Sequence, residues 1–546
     1  RAEEIIAEAQ EKAGPLLEEA REKARGEKSG TTGEIEAAIA HDRRCGVTRF
    51  VGYDTTEEDN CRVLWVRSLE VPRVESSEGL PAGAHGVVVL DKTPFYAEAG
   101  GQVGDTGRIE GSDGAWSFCV TNTKRIGDTI AHFGVVERGS VRPTLRPRTT
   151  DARPESDPLP EPEPADSATA RAIVDRDRRV PTMKNHTATH VLNWALRETL
   201  GDHVDQKGSL VDSEKTRFDF SNPKPVTTEQ VAEIERRCAE QIAADHPVYA
   251  EEADQAEARK INGLRAVFGE KYPDRVRVVS IGVPLADLLA NPDNPGWRRF
   301  SIEFCGGTHV GRTREIEDFV IVSEEAVAKG VRRVVGVTGE KARQAIEAGR
   351  AIIADLNAAL SSPHENLAGE LAKLRERLSE LQIRVTDRHQ ALELLDRLAA
   401  AAKKQRAAQA SAAADVAVQA AEKLLATATK RPLGDSEATI VVGEMPNVPP
   451  DQLKSAADFI KQKCGSAVVL FGVRAGEKAI LLASMSPDLI KAGLKAGDLV
   501  KHAAKLVKGG GGGPPTMAQA GGKNPTKIPD ALAAGRAWIE EKLTQA

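Results

Sequence analysis

Three histidines and one cysteine stand in two short spacings that could hold a metal ion. His186 and His190 belong to His-Thr-Ala-Thr-His, and Cys305 and His309 to Cys-Gly-Gly-Thr-His. Positions i and i+4 share one face of an α-helix, so two imidazoles can reach one point. In the second pair, two glycines let the chain turn until thiolate and imidazole converge. Three imidazoles and one thiolate are borderline donors in the number that tetrahedral zinc prefers. Either pair alone is common in chains that bind nothing; both inside one predicted α/β region argue for zinc. A purely structural ion is the plain alternative. Against it, Thr189 lies three residues after His186, on the metal face of the helix. A hydroxyl there suits a pocket that recognises a small polar group. The sequence has no GxSxG, no GK[ST] phosphate loop and no GxGxxG after a strand.

The elements that position these residues must come from a chain of 546 residues, which corresponds to roughly three or four domains. With 40% hydrophobic, 29% charged and only 4% aromatic residues, a wholly disordered or fibrous chain is excluded. No run of 18 apolar residues occurs, so no membrane-spanning helix is expected. The first residue is Arg1, followed by neither a signal nor a transit peptide, which reads as a piece of something longer. Six dispersed cysteines (Cys45, Cys61, Cys119, Cys238, Cys305, Cys464) without a CxxC pair point to a reducing, cytoplasmic compartment. The net charge of −6 gives no global sign of nucleic acid, but Lys491 to Asp530 holds seven lysines against Asp498 and Asp530, a local +5. Four of them, Lys501, Lys505, Lys508 and Lys523, flank or follow Gly509 to Gly513, where backbone amides can approach phosphates.

The expected architecture is α+β and multidomain. Residues 1–44 have a helical pattern, broken at Pro15 and again at Ser29 to Thr32. Residues 45–137 hold short β-rich runs (62–66, 86–90, 117–120, 129–136) suited to a small antiparallel barrel. The glycine-rich connection 96–107 reads as tight backbone geometry. Residues 138–168, with seven prolines from Pro143 to Pro164, read as a surface linker. Residues 169–345 form the α/β region of the metal motifs, with helices near 181–200 and 227–244 and strands near 216–220 and 275–281. Across 346–430, Leu367, Leu371, Leu374, Leu378, Leu381 and Val385, then Leu392 and Leu395, repeat at coiled-coil spacing, skipping Arg388. That seam can pair with another chain or fold back on the Ala-rich helix of 399–426. An α/β domain fills 431–546, with strands near 438–442 and 467–473 and helices near 450–463 and 529–543.

These motifs, with Val204-Asp-Gln-Lys-Gly-Ser-Leu210 between them, resemble the editing domain of alanyl-tRNA synthetases and of free-standing alanyl-tRNA editing proteins. Phe50-Val-Gly-Tyr-Asp54 and Phe95-Tyr-Ala-Glu-Ala-Gly-Gly-Gln-Val-Gly-Asp105 resemble the barrel before it. Gly509 to Gly513 and Pro514-Pro-Thr-Met-Ala-Gln-Ala-Gly-Gly522 resemble the glycine-rich motif of the C-terminal domain. The resemblance covers nearly everything from residue 45 onward, in the family's order. It implies hydrolysis of Ser-tRNA(Ala) and Gly-tRNA(Ala), with His186, His190, Cys305 and His309 as zinc ligands. Thr189 and Gln206 match positions used in substrate discrimination and in holding the reacting group. It implies tRNA(Ala) as partner, with no DNA and no membrane. Terminal phosphates would meet Arg332 and Arg333, the tRNA body the lysine-rich C-terminal domain, and a homodimer could form through that region. Whole synthetases begin with a class II domain using ATP and Mg²⁺. Residues 1–44 leave no room for it and read as the remnant that follows it. A stand-alone editing hydrolase and a non-catalytic tRNA-binding module with structural zinc are the alternatives.

Overall fold

The computed structural model describes residues 37–39, 46–69, 79–143, 169–266, 271–361 and 366–545, so the expected helices before residue 37 and the proline-rich 144–168 lie outside them. The chain divides into two compact units. The first takes residues up to Leu356 together with Glu376–Leu394; the second takes Asn357–Arg375 and everything from Leu395.

In the first unit, seven strands pair antiparallel: Glu57–Cys61 (β1), Val63–Ser68 (β2), His85–Leu90 (β3), Gly107–Gly111 (β4), Ser117–Ile126 (β5), Thr129–Arg138 (β6) and Ala170–Val174 (β7). Their order is β1-β7-β4-β5-β6-β3-β2. The two edge strands are separated in sequence by Arg62 alone, so the sheet must curl until its ends meet. The expected barrel is thus a curled sheet, with no ladder pairing β1 to β2 among the described residues. Val63, Val88, Leu90, Phe95, Ile109 and Phe118 fill its interior.

Helix α1 (Arg176–Leu200) leaves β7 directly. It starts five residues before the expected 181–200, and Pro181 lies inside it. The Asp175 carboxylate caps its start by accepting from the Asp177 N–H. Proline removes one helical hydrogen bond; the Thr182 hydroxyl bonds the Arg178 carbonyl at 2.8 Å beside it. Leu192, Leu196, Phe218, Phe220, Ile234 and Val334 join α1 and α2 (Thr228–Ala243) to a four-stranded antiparallel sheet. That sheet runs Gln206–Val211 (β8), Thr216–Ser221 (β9), Val331–Thr338 and Phe319–Ala328 in spatial order. A smaller sheet joins Val248–Asp254 to Arg275–Ile281 and then Ile302–Phe304.

One buried guanidinium ties the curled sheet to α1. Arg179, 1% exposed, donates to both carboxylate oxygens of Asp105, to the Gly52 carbonyl at 2.8 Å and to the Pro94 carbonyl at 2.7 Å. Asp105 also accepts from the Tyr96 N–H at 2.6 Å.

The single long seam expected for 367–395 is interrupted. Helices Leu367–Glu380 and Val385–Ala426 are separated by a non-helical stretch at Leu381–Arg384. Arg388, the residue the repeat skips, is the cause: its guanidinium donates to the carbonyls of Leu378 and Leu381, ending the first helix. Beyond the break the buried stripe is Ala391, Leu394, Leu395 and Leu398, and Leu392 is half exposed. The chain folds back on the Ala-rich stretch 399–426: the Leu367 N–H donates to Gln405, midway along the second helix.

The second unit carries a six-stranded sheet in the order Thr429–Leu433, Ser436–Met445, Ala467–Ala475, Lys478–Met485, Met517–Gly522, Gly509–Gly512. Alternate residues serve opposite cores: Ile440, Val468 and Leu470 on one face, Val441, Val469 and Phe471 on the other. Helices Ala496–Ala504 and Ile528–Gln545 cover the first face and Pro450–Cys464 the second. An all-glycine strand therefore forms one edge.

Leaving Asp105 buried without its cation is expected to cost about 3–5 kcal/mol. Arg179→Met should show that loss in chemical denaturation, and adding Asp105→Leu should recover part of it. A single mutant as stable as wild type would refute the tie.

Candidate metal centre

Residues from two segments meet at α1. His186 and His190 come from two successive turns of the helix, and Cys305 and His309 from the loop after Ile302–Phe304. One donor atom from each lies within 4.8 Å of the others. Cys305 Sγ is 3.4 Å from His186 Nε2 and 3.4 Å from His309 Nε2. The ring centroids of His309 lie 4.4 Å from those of His186 and 4.7 Å from those of His190. Gly307 makes this possible: a Cβ there would sit 2.0 Å from His186 Cε1. Gly306 has open space around it, so the spacing needs only one of its glycines for contact.

Hydrogen bonds on the far side of the His186 and His309 rings orient them, while His190 Nδ1 has no hydrogen-bond partner among the described residues. Gln102 Oε1 accepts from the Thr308 N–H at 2.9 Å while Gln102 Nε2 donates to Thr308 Oγ1 at 2.9 Å, which fixes the amide's direction. The oxygen also lies 2.7 Å from His186 Nδ1, so Nδ1 carries the proton and Nε2 presents its lone pair. The Thr187 hydroxyl gives its hydrogen to the Met183 carbonyl at 3.0 Å. It must therefore accept from His309 Nδ1 at 3.2 Å, and His309 also turns Nε2 inward. His190 Nδ1 faces Glu303 Oε2 at 3.6 Å. Glu303 is held in turn by Asn193 at 3.0 Å and Ser301 at 3.3 Å. Carboxylate and carbonyl partners behind imidazoles are how proteins orient metal-binding histidines.

Burial holds the imidazoles neutral: His190 falls to about 3, and His186 and His309 lie well below the ordinary value, helped by neighbouring positive charge. Burial also pushes the Cys305 thiol up to about 12, with the Gly307 N–H and Arg277 opposing it. Neutral imidazoles are the ligand form, and a thiolate becomes stable here beside a cation. The donor set and its oriented lone pairs fit zinc.

The donors open into a cavity of about 750 Å³. Of the residues singled out from sequence, Thr189 and Gln206 line it with His186, His190 and Cys305. Gln206 Nε2 donates to Ser209 Oγ at 3.1 Å. Arg332 and Arg333 do not line it. Each guanidinium grips a carboxylate with two nitrogens, Arg332 on Glu324 at 2.7 and 2.6 Å, Arg333 on Asp219 at 2.7 and 2.9 Å. Lys501, Lys505, Lys508 and Lys523 are exposed in the second unit, without ion pairs among the described residues.

Gln102, Thr187, Glu303 and Arg277 were not expected from sequence. Glu303 lies on strand Ile302–Phe304, two residues before Cys305. Gln102 lies inside the glycine-rich connection, where Gly101 and Gly104 do have the expected tight contacts: a Cβ at either would meet a neighbour at 2.2 Å. Arg277 donates to the carbonyls of Cys305 and Gly307 at 3.1 and 2.7 Å and lies 3.9 Å over the Tyr53 ring, whose hydroxyl bonds the Gly306 carbonyl.

Comparison with known proteins finds three family matches. Residues 4–146 match tRNA synthetases class II (A), residues 276–335 match the Threonyl and Alanyl tRNA synthetase second additional domain, and residues 437–541 match the DHHA1 domain. The first match runs against the expectation that the chain lacks class II sequence. The chain is 40% identical to an alanine–tRNA ligase of Chromohalobacter salexigens over 91% of its own length and 49% of that protein's. It is 38% identical to one of Bordetella petrii, over 91% and 48%. The chain thus spans about half the length of the curated relatives it matches. Among solved structures, the C-Ala domain of Aquifex aeolicus alanyl-tRNA synthetase is 30% identical over 21% of this chain and 97% of that one, with a TM-score of 0.18.

Removing the group behind His186 is expected to weaken metal binding about 10- to 100-fold. In chelator competition Gln102→Ala should show that loss, Gly307→Ala a larger one, and Gly306→Ala none. Unchanged zinc affinity in Gln102→Ala would refute the orienting role.

Proposed function

We propose that this chain is a portion of an alanine–tRNA ligase whose metal centre proofreads, hydrolysing the ester of Ser-tRNA(Ala) and Gly-tRNA(Ala). The observation that carries this reading is the convergence of His186, His190, Cys305 and His309, three of which (His186, His190 and Cys305) line a cavity with Thr189 and Gln206. The similarity of residues 276–335 to a tRNA synthetase accessory domain supports it.

Zinc, when bound, supplies a Lewis acid and lowers the pKa of a coordinated water to about 7. The rest is positioning by the chain. Gln102 and Thr187 hold the His186 and His309 rings, and the Glu303 carboxylate faces His190. Arg277 fixes the Cys305–Gly307 backbone, and Gln206, held by Ser209, meets the reacting group. The products are a free amino acid and the terminal ribose hydroxyl of the tRNA. Alanine is smaller than serine and cannot be excluded by size, so its ester is spared by chemistry. A buried polar group left without its partner disfavours the substrate that lacks the hydroxyl.

In this reading tRNA(Ala) is the partner, the compartment is the cytoplasm, and two copies pair through the C-terminal region. Lys501, Lys505, Lys508 and Lys523 meet tRNA phosphates. Arg332 and Arg333 contribute only by exchanging Glu324 and Asp219 for phosphate. ATP and Mg²⁺ belong to ligation, the activity named for the relatives.

Purified chain should deacylate Ser-tRNA(Ala), and Cys305→Ala and Gln206→Ala should each lose most of that rate. A wild type that binds zinc and tRNA but releases no serine would establish a binding module instead. Supplying ATP, alanine and tRNA(Ala) reads ligation separately.

Affinity for tRNA should fall steeply with salt. Each of Lys505→Ala and Lys508→Ala should reduce the slope of log affinity against log salt by roughly one. Slopes equal to wild type would remove these lysines from the interface.

A further inference from the structure

The two threonines of His186-Thr-Ala-Thr-His190 are wired alike. Thr187 spends its hydrogen on the Met183 carbonyl, four residues back, and offers only lone pairs outward. Thr189 does the same with the Asn185 carbonyl at 2.7 Å. A carbonyl can only accept, so the hydroxyl hydrogen of Thr189 is committed to it. A second oxygen lies beside it: Thr216 Oγ1, on β9, is 2.6 Å from Thr189 Oγ1. Thr216 is 0% exposed, and Thr189 is the one hydrogen-bond partner of its hydroxyl among the described residues. Since Thr189 has no hydrogen left, Thr216 must be the donor. A buried hydroxyl hydrogen with no acceptor is costly, so this direction is enforced.

The bookkeeping for Thr189 is then complete. Its oxygen donates once, to Asn185, and accepts once, from Thr216. One lone pair remains on a side chain that lines the metal cavity. We infer that Thr216 is a specificity-determining residue: by donating to Thr189 it fixes that hydroxyl as an acceptor-only group that selects the hydroxyl of a seryl ester. This inference rests on the proofreading function proposed above and adds a residue to it. The serine hydroxyl can donate to the remaining lone pair; the alanine methyl cannot, and would cover it. Glycine presents no side chain there, so its deacylation is an internal control. Thr216 acts through Thr189 and is a positioning residue.

The test compares kcat/KM for Ser-tRNA(Ala) and Gly-tRNA(Ala) in Thr216→Val, Thr216→Ser, Thr189→Val and the double valine variant. Valine keeps the shape of threonine and removes the hydroxyl; serine keeps the hydroxyl. Thr216→Val should lower the serine-to-glycine ratio about 3- to 10-fold, the worth of one neutral hydrogen bond, with glycine deacylation within about twofold of wild type. Thr216→Ser should restore the ratio. Thr189→Val should lower it at least as far, and adding Thr216→Val to it should change nothing more. Equal loss on both substrates, or a Thr216→Val effect that persists without the Thr189 hydroxyl, would overturn the inference. Wild type that hydrolyses neither substrate overturns the proposed function with it. Wild type that clears Ser-tRNA(Ala) while Thr216→Val keeps its ratio overturns the inference alone.

Discussion

Everything at the metal centre depends on where Arg179 finds its partners. A buried guanidinium costs several kcal/mol unless its donors are met. Here they are met by Asp105 and by the carbonyls of Gly52 and Pro94, all from connections of the curled sheet, while Arg179 sits in the first turn of α1. The glycine-rich connection is therefore held against the helix within three residues of Gln102. Gln102 can then receive both the His186 Nδ1–H and the Thr308 N–H on one oxygen, joining the helix pair to the Cys305 loop. The two metal motifs are brought to one orientation by a segment that carries no ligand.

The same constraint accounts for the electrostatics. Packing the curled sheet over α1 removes water from three imidazoles and a thiol, which disfavours every charged form. Arg277 adds positive charge close by and spends its donors on the Cys305 and Gly307 carbonyls. A pocket with three neutral nitrogens facing inward and a sulfur waiting for a counter-charge is poised for a divalent ion. The cost of that burial is recovered when an ion binds, which couples metal affinity to the packing of sheet on helix.

Legibility in the sequence followed the range of the interactions. Where a rule is local, it held: the i, i+4 histidines, the glycine-spaced cysteine and histidine, and most strands and helices lie where pattern predicts. It failed where a distant or polar group intervened. The helix expected near 181–200 begins earlier because the Asp175 cap lies upstream of Pro181. The leucine seam broke because Arg388 reaches back to the carbonyls of Leu378 and Leu381, which heptad counting cannot see. Gln102 and Thr216 stand 84 and 27 residues from the side chains they bind, so no spacing connects them to the site. The glycines around Gln102 report only their own backbone geometry and give no sign of it.

Threonine, rather than serine, at positions 187 and 189 follows from the same logic. In a helix the β-branch leaves few χ1 states, and one of them places Oγ1 against the carbonyl four residues back. Both residues adopt it, so one turn of α1 presents two imidazoles and two oxygens whose hydrogens are already spent. Thr187 uses its lone pairs on His309 and on the Val310 N–H at 3.2 Å, and is filled. Thr189 accepts one bond from Thr216 and keeps one place. A serine could rotate its hydroxyl toward the cavity and act as donor or acceptor in turn. The methyl group that prevents this makes the polarity of the site a property of the backbone, set before any substrate arrives.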